Sequence, residues 1–163
     1  QIGIQHQLLL PDPSEDAEAL EAIKPGEAPA RYVQRVTGLK LDAAMVRLKT
    51  LGLPAAPVLC ADTTVALGRD ILGKPQSVSE ARAMLARLAG KTHRVLTAVA
   101  VQKGRDRQLA LSESWVRFAP MTTAQIRAYV DSGEPMGKAG AYGGCAHRAH
   151  PRQLFRHHGI AAL

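Results

Sequence analysis

The sequence predicts a single α/β domain, and three observations lead to that prediction. Residues 58–61 form an uninterrupted apolar run, which is typical of a buried strand. Residues 28–51 carry apolar side chains at helical spacing and form the longest helix candidate. Strand and helix patterns then alternate along a chain of 163 residues, which is long enough for one domain with its own hydrophobic core.

Composition is that of an ordinary globular protein. Hydrophobic residues make up 46% of the chain and charged residues 21%. No apolar run approaches the length of a membrane span and no signal peptide is recognisable, so we expect a cytoplasmic protein. The two cysteines are too few for a disulfide framework, and we expect Cys60, in the predicted core strand, to be a buried thiol.

The net charge of +7 raises the question of a nucleic-acid partner. All 14 acidic residues lie at or before Glu134, whereas three arginines follow Gly144, so much of the excess belongs to the C-terminal tail. The remaining positive charge would attract an anionic substrate such as a triphosphate, and it would also attract RNA. A basic binding protein without enzymatic activity is therefore the alternative. The six aromatic residues are widely spaced, and they predict no stacking platform for single strands.

Residues 58–75 carry the first candidate site. The predicted strand places Asp62 where the chain emerges from the core, and a turn at residues 67–70 leads to a short return strand that ends at Lys74. A carboxylate and an ammonium group on adjacent strands suit a metal-bound or phosphate-bearing ligand. The alternative is an ordinary surface hairpin on which both side chains are solvated.

The N-terminal third predicts a strand, a loop and a helix. Residues 1–10 form an apolar strand candidate, and residues 11–26 form an acidic, proline-bounded loop with one helical turn. The helix at residues 28–51 ends before Gly52. Lys40 falls near the edge of its apolar stripe, where spacing alone equally allows a lysine that only reaches solvent.

Two further helices begin with capping boxes. Residues 77–80 cap the first, whose predicted core face consists of Val78, Ala81, Leu85 and Leu88. Residues 122–125 cap the second, which ends before Gly133. We expect both helices to have a structural role.

A β-hairpin is predicted between these helices. Its strands are residues 92–101 and 108–118, and its turn lies at residues 103–106. His93 has no second His or Cys at ligand spacing, which favours a structural or exposed histidine over a metal ligand. We expect Trp115 to pack in the core.

Residues 137–143 form a glycine-rich stretch. Its lysine is not followed by Ser or Thr and its glycine spacing differs from that of a Walker loop. Backbone N–H groups of such a stretch can approach an oxyanion, and Lys138 could assist. Taken alone, the stretch is a weak signal of phosphate binding.

Three blocks together resemble the signature of the Maf family: ADTTV at 61–65, GKP at 73–75 and GKAGAYG at 137–143. The similarity is ordered from residue 8 to residue 143, which makes it more specific than any single block. Maf proteins hydrolyse nucleoside triphosphates to the monophosphate and pyrophosphate, and their fold is similar to that of inosine triphosphate pyrophosphatases. The resemblance implies a twisted mixed sheet flanked by helices, with the active cleft beside Asp62.

The resemblance also implies roles for individual residues. Asp62 would be the proton acceptor or metal ligand for the water that attacks the α-phosphorus. Lys40 and Lys74 would neutralise charge on the phosphates. Thr63 matches the position linked to base choice, and the Asp-Thr pair resembles the branch that acts on dTTP and UTP.

A divalent ion, magnesium or manganese, is expected with the triphosphate substrate. In the family a glutamate of the acidic loop helps to hold metal or substrate, and by position we expect Glu15, with Glu18 and Glu21 close behind. A solvated acidic loop without such a role is the alternative. The family also implies a homodimer.

The chain departs from the family pattern at both ends. Neither the Ser-x-Ser-Pro-Arg-Arg loop that grips the triphosphate nor the Gly-Ile-Gln-Gly sequence that helps to choose the base is present. We therefore expect an N-terminally truncated chain, with one Maf-like domain at 1–143 and an aberrant basic tail at 144–163. The expected consequence is weak or absent activity, and an inactive remnant is a further alternative.

A frameshift after Gly143 would explain the tail. Residues 145–163 can be back-translated to a nucleotide string that, read one nucleotide later, encodes AHIAHIRGSYSGIMGLPL, which resembles the C-terminal segment of the family. Sequencing the gene tests this hypothesis. Four histidines in the tail could instead bind a transition metal: His147, His150, His157 and His158.

Overall fold

The computed structural model describes residues 5–12, 15–16 and 19–143, together with the backbone of residues 155–158. It contains one five-stranded sheet and three α-helices. The strands are β1 (Val58–Leu67), β2 (Asp70–Leu72), β3 (Thr92–Lys103), β4 (Asp106–Phe118) and β5 (Phe155–His158). The helices are α1 (Pro29–Thr50), α2 (Val78–Leu88) and α3 (Thr123–Asp131). The α/β class is confirmed.

The sheet has the order β2-β1-β3-β4-β5, and every strand pair that the structure describes is antiparallel. Short turns join β1 to β2 and β3 to β4, and a short turn forces neighbouring strands to run in opposite directions. The predicted hairpin is confirmed. A mixed sheet requires a parallel pair, and the described strands do not form one.

The helices cover the two faces of this sheet. On one face α1 packs across β1 and β3, where Val33 and Val36 contact Ala66, Leu96 and Ala98. On the other face α2 and α3 enclose the larger core cluster. Because successive side chains of a strand point to opposite faces, β1, β2 and β3 contribute to both cores, whereas the core residues of β4 lie on the α2 side.

The helix boundaries follow the local signals in the sequence. Ser77 accepts a hydrogen bond from the backbone of Glu80 at the start of α2, and Thr122 and Gln125 form a complete capping box at the start of α3. The Glu80 carboxylate accepts from the Gln76 backbone instead of completing the reciprocal half of the first box. Val78 is exposed, so its predicted place on the core face was wrong.

Three other predictions need correction. Residues 5–10 form no strand, although Leu9 packs beside the core under α1. Trp115 is 54% exposed, because α1 covers β1 and β3 and leaves most of β4 open to solvent. Cys60 is only partly buried.

Some predictions fall outside the described residues. These are the start of the N-terminal strand at 1–4, the candidate Glu18 and most of the tail at 144–163, of which only the backbone of β5 is described. Within the described part of the chain, no helix is long and apolar enough to cross a membrane.

Candidate active site

Asp62 lies within β1 on the sheet face that α1 covers. Its register partner on β3 is Ala98, which is buried under α1, and register partners point to the same face. The helix brings Lys40 to the acid: the Lys40 Nζ atom lies 2.5 Å from Asp62 Oδ1. Lys40, for which spacing alone equally allowed a lysine that only reaches solvent, is therefore paired with the candidate catalytic acid.

A short 3-10 turn, Ala19–Glu21, supplies a second carboxylate, and we call it the Glu21 turn. Lys40 Nζ donates to Glu21 Oε1 at 2.8 Å. Lys74 Nζ, arriving from the end of β2, donates to both Glu21 oxygens at 2.8 and 2.7 Å. The four side chains form a continuous charge cluster in the order Asp62, Lys40, Glu21, Lys74.

Glu21 and Lys40 are held in their charged forms by mutual hydrogen bonds. Burial alone would raise the pKa of Glu21, but hydrogen bonds from Lys40 and Lys74 outweigh burial and leave the pKa below its usual value. Burial alone would lower the pKa of Lys40, but its bonds to Asp62 and Glu21 outweigh burial and raise the pKa. Lys40 therefore remains an ammonium group throughout the physiological pH range.

Glu15 lies elsewhere. Its carboxylate forms a two-point ion pair with Arg47, at 2.8 Å from Nε and 2.5 Å from Nη2, near the far end of α1. The hydrogen bond from Arg47 lowers the pKa of Glu15. The structure thus brings Glu21, and not Glu15, to Lys40.

Thr63 points away from this cluster. Strand alternation places it on the face opposite Asp62, where its hydroxyl lies 2.9 Å from that of Thr97 on β3. β2 pairs only with Val65, Ala66 and Leu67 of β1. A single ligand could therefore reach both Asp62 and Thr63 at the edge of β1 that β2 leaves uncovered.

The glycine-rich stretch 137–143 lies on the α2 side of the sheet. Gly140 N donates to Gly73 O at 3.0 Å, which fixes the stretch beside the segment that carries Lys74. Lys138 Nζ donates to the Glu134 carbonyl oxygen rather than to a member of the charge cluster. The stretch therefore contacts the segment that carries Lys74 from the α2 side of the sheet. Lys138 is not part of the charge cluster.

Two open grooves lie beside Ile23, Ile71 and Arg87, which line both of them. One of about 410 Å³ is lined by Lys74, Ile23, Leu72 and Met84, and one of about 560 Å³ lies beside Lys24 and Arg69. Neither is lined by Asp62 or Lys40. We give more weight to the charge cluster than to these grooves, because ligand chemistry follows from converging charged groups and not from concavity alone.

A family model described as Maf-like protein matches residues 1–150. The chain belongs to the Maf family. It is 63% identical over 141 residues to the dTTP/UTP pyrophosphatase of Albidiferax ferrireducens. The aligned region covers 86% of this chain and 70% of that relative. Proteins of the same name from Polaromonas sp. and Cupriavidus metallidurans are 66% and 58% identical over 142 and 143 residues. These matches cover 87% and 88% of this Maf chain, and 70% and 72% of the relatives.

The carboxylates of this candidate site fit a divalent ion that the protein holds only in part. Across the described residues, no three His, Cys, Asp or Glu side chains converge as a metal site would require. Mg²⁺ in nucleotide sites is often held by one or two carboxylates and completes its shell with water and substrate phosphates. Asp62 and Glu21, on either side of Lys40, suit that arrangement and do not suit a closed site made of protein ligands alone.

Sequence reasoning placed Glu21 behind Glu15, and it assigned no role to Arg35. No spacing rule could separate the acids, because the sequence of residues 11–26 has no helical or strand periodicity. Arg35 lies one helical turn after Tyr32, and this spacing predicts that the two side chains are neighbours on the helix. It does not predict that Arg35 contacts residues 22 and 27 of the preceding loop.

Proposed function

We propose that this chain hydrolyses dTTP and UTP to the monophosphate and pyrophosphate at the cluster of Asp62, Lys40, Glu21 and Lys74. The observation that carries the proposal is the chain of ion pairs in which Lys40 joins Asp62 to Glu21 and Lys74 extends the chain from Glu21. Support comes from the three relatives, each named dTTP/UTP pyrophosphatase. Within the described residues, no comparable cluster supports the rival function, RNA binding through a basic face.

The chemistry divides between the acid and the lysines. In the free chain Lys40 is shared between two carboxylates. A triphosphate offers Lys40 and Lys74 new anionic partners, which frees an Asp62 oxygen to accept a proton from a water molecule. That water attacks the α-phosphorus, the bond to the bridging oxygen of the β-phosphate breaks, and pyrophosphate leaves with the electron pair. The ammonium groups stabilise the charge that develops on the phosphates.

A divalent ion, magnesium or manganese, belongs to the proposal. Asp62 and Glu21 would hold it, and we propose Glu21 for this role in place of Glu15, whose carboxylate is engaged by Arg47. Such an ion, when bound, offsets phosphate charge and polarises the phosphoryl oxygens.

Thr63 and Lys138 remain proposals as substrate-binding residues. A base placed at the open edge of β1 would meet Thr63 while the phosphates lie on the Asp62 side. Lys138 would have to leave the Glu134 carbonyl to reach a phosphate. We therefore expect Thr63→Val to change the ratio of dTTP to CTP hydrolysis more than Lys138→Met does.

Pyrophosphate release from a panel of nucleoside triphosphates, with magnesium or manganese, tests the function. We expect Asp62→Asn to abolish release of pyrophosphate from dTTP and UTP, because the amide cannot accept the water proton. Asp42→Asn is the matched control, since Asp42 is also an aspartate paired with a cation, Arg107, but lies on the exposed side of α1. Undiminished release by Asp62→Asn, or no release by the folded chain, would contradict the proposal.

Two further expectations remain predictions. The weak or absent activity anticipated from the departures in sequence is tested by the rate in the same assay, measured beside the Polaromonas relative. The homodimer implied by the family is tested by sedimentation equilibrium of the purified chain.

A further inference from the structure

The Glu21 turn is held by two residues of α1. Tyr32 Oη donates to the Glu21 carbonyl oxygen at 3.0 Å, and Arg35 Nη2 donates to the Ala22 carbonyl oxygen at 2.8 Å. The turn contributes no buried residue of its own, and its described internal bond is a single backbone contact of 3.3 Å between Ala22 N and Ala19 O. A three-residue 3-10 turn is too short to be stable alone; a hydrogen bond from Ala19 N to Asp16 Oδ1 holds its start, and the contacts from the helix hold its end.

Arg35 also holds the far end of the same loop. Its Nε and Nη2 atoms lie 2.6 and 2.7 Å from the two Glu27 oxygens, a planar two-point pair that sets direction as well as distance. The Arg35 guanidinium lies 5.6 Å from the centre of the Tyr32 ring, so the two side chains support each other. The loop between residues 21 and 27 is therefore hydrogen-bonded to α1 at both of its ends.

We propose that Tyr32 and Arg35 are positioning residues that hold the Glu21 carboxylate between Lys40 and Lys74. The inference rests on the proposed function, because it assigns a purpose to the position of Glu21. Glu21 reaches partners 19 and 53 positions away in sequence, and no local bond of its turn aims the side chain at them. Tyr32 and Lys40 lie on the same helix, so one rigid element sets both the lysine and the turn that it contacts.

Arg47 supplies a matched control on the same helix. It pairs with Glu15 through two contacts and donates to the Leu9 carbonyl oxygen at 3.0 Å, which repeats the chemistry of Arg35 on a different part of the loop. Glu15 does not contact the charge cluster in the described structure. Arg47→Lys should therefore loosen residues 5–15 and leave the Glu21 turn unchanged.

Amide hydrogen exchange of the unliganded chain tests the positioning directly. Tyr32→Phe removes only a hydroxyl, and Arg35→Lys keeps the charge but loses the two-point geometry. We expect both variants to exchange faster at residues 19–27, while Arg47→Lys exchanges faster near residues 9–15 instead. Unchanged exchange at 19–27 in both variants would overturn the inference, whether or not the chain is active.

A double-mutant cycle with Glu21→Gln tests the consequence for catalysis. If Tyr32 and Arg35 act through Glu21, each single substitution should lower kcat/KM for dTTP roughly fivefold, and should add nothing once Glu21 is Gln. Additive losses, with equal melting temperatures, would overturn the positioning role. A folded chain that releases no pyrophosphate would overturn the proposed function alone, since hydrogen exchange still decides whether the two residues hold the turn.

Discussion

Gly140 is the residue at which the glycine-rich stretch comes closest to the sheet. Its φ of +70° is left-handed, and a Cβ atom there would lie 2.9 Å from the branched side chain of Val65. Gly140→Ala therefore combines backbone strain with a clash against a stiff, buried neighbour. We expect the free energy of unfolding, measured by urea denaturation, to fall by about 2 to 4 kcal/mol.

Gly137 allows the effect of backbone strain to be measured without a steric clash. It has a φ of +73°, but a Cβ atom would meet nothing within 4 Å. Gly137→Ala should lower the free energy of unfolding by only about 1 kcal/mol, from backbone strain alone. Equal losses in the two variants would mean that the contact with Val65 contributes nothing.

The β3 strand and the glycine-rich stretch are joined by a buried histidine. His93, which is 1% exposed, lies 2.7 Å from the Tyr142 hydroxyl and packs edge-on against Phe118. Burial lowers the pKa of His93 to about 4, because the charged imidazolium would lose its hydration. Because no second His or Cys stands at ligand spacing, we expected His93 to be structural or exposed. The buried position agrees with a structural role.

The same histidine predicts how stability depends on pH. An unfolded chain protonates His93 near its ordinary pKa of 6.5, whereas the folded chain resists protonation until about pH 4. The unfolded state therefore binds more protons within this window. As pH falls from 6.5 to 4, the free energy of unfolding should decrease by up to about 3 kcal/mol through this group.

Urea denaturation across this pH range measures the effect. His93→Gln, which does not titrate, should show a shallower decrease than the parent chain. Parallel curves for the two proteins would show that His93 is not the titrating group. Burial also raises the pKa of Tyr142, so the tyrosine stays protonated across this pH range. Its titration therefore does not contribute to the difference between the two curves.

At the scale of the whole molecule, the net charge of +7 should assist capture of an anionic substrate. We expect kcat/KM for dTTP to fall severalfold between about 20 and about 200 mM KCl, since salt screens attraction between separated charges. The value of kcat should change much less, because the ion pairs inside the cluster are short and partly buried. A variant with Lys103→Glu and Arg105→Glu, both far from Asp62 along the β3–β4 hairpin, should lose part of the salt dependence. A kcat/KM that does not change with salt would exclude long-range attraction.

Local sequence signals were sufficient to predict the three helices, the β-hairpin and the strand that carries Asp62, but not β5 or the irregular course of residues 5–10. Helix caps, the hairpin turn and the apolar strand core depend on residues within a few positions of one another, so they can be read locally. Asp62 and Lys74 were found in the same way, from short blocks of residues, whereas the role of Lys40 came only from the family resemblance. The α/β class followed from the order of these elements.

Which groups meet depends on the packing of elements that are distant in sequence. Glu21 and Lys74 are 53 positions apart, and no local spacing encodes a contact across that separation. The choice of Glu21 over Glu15 depends on how the loop lies along α1, and the exposure of Trp115 depends on how far α1 extends across the sheet. Packing between elements sets both, because it is the sum of many weak contacts and no single stretch of sequence contains it.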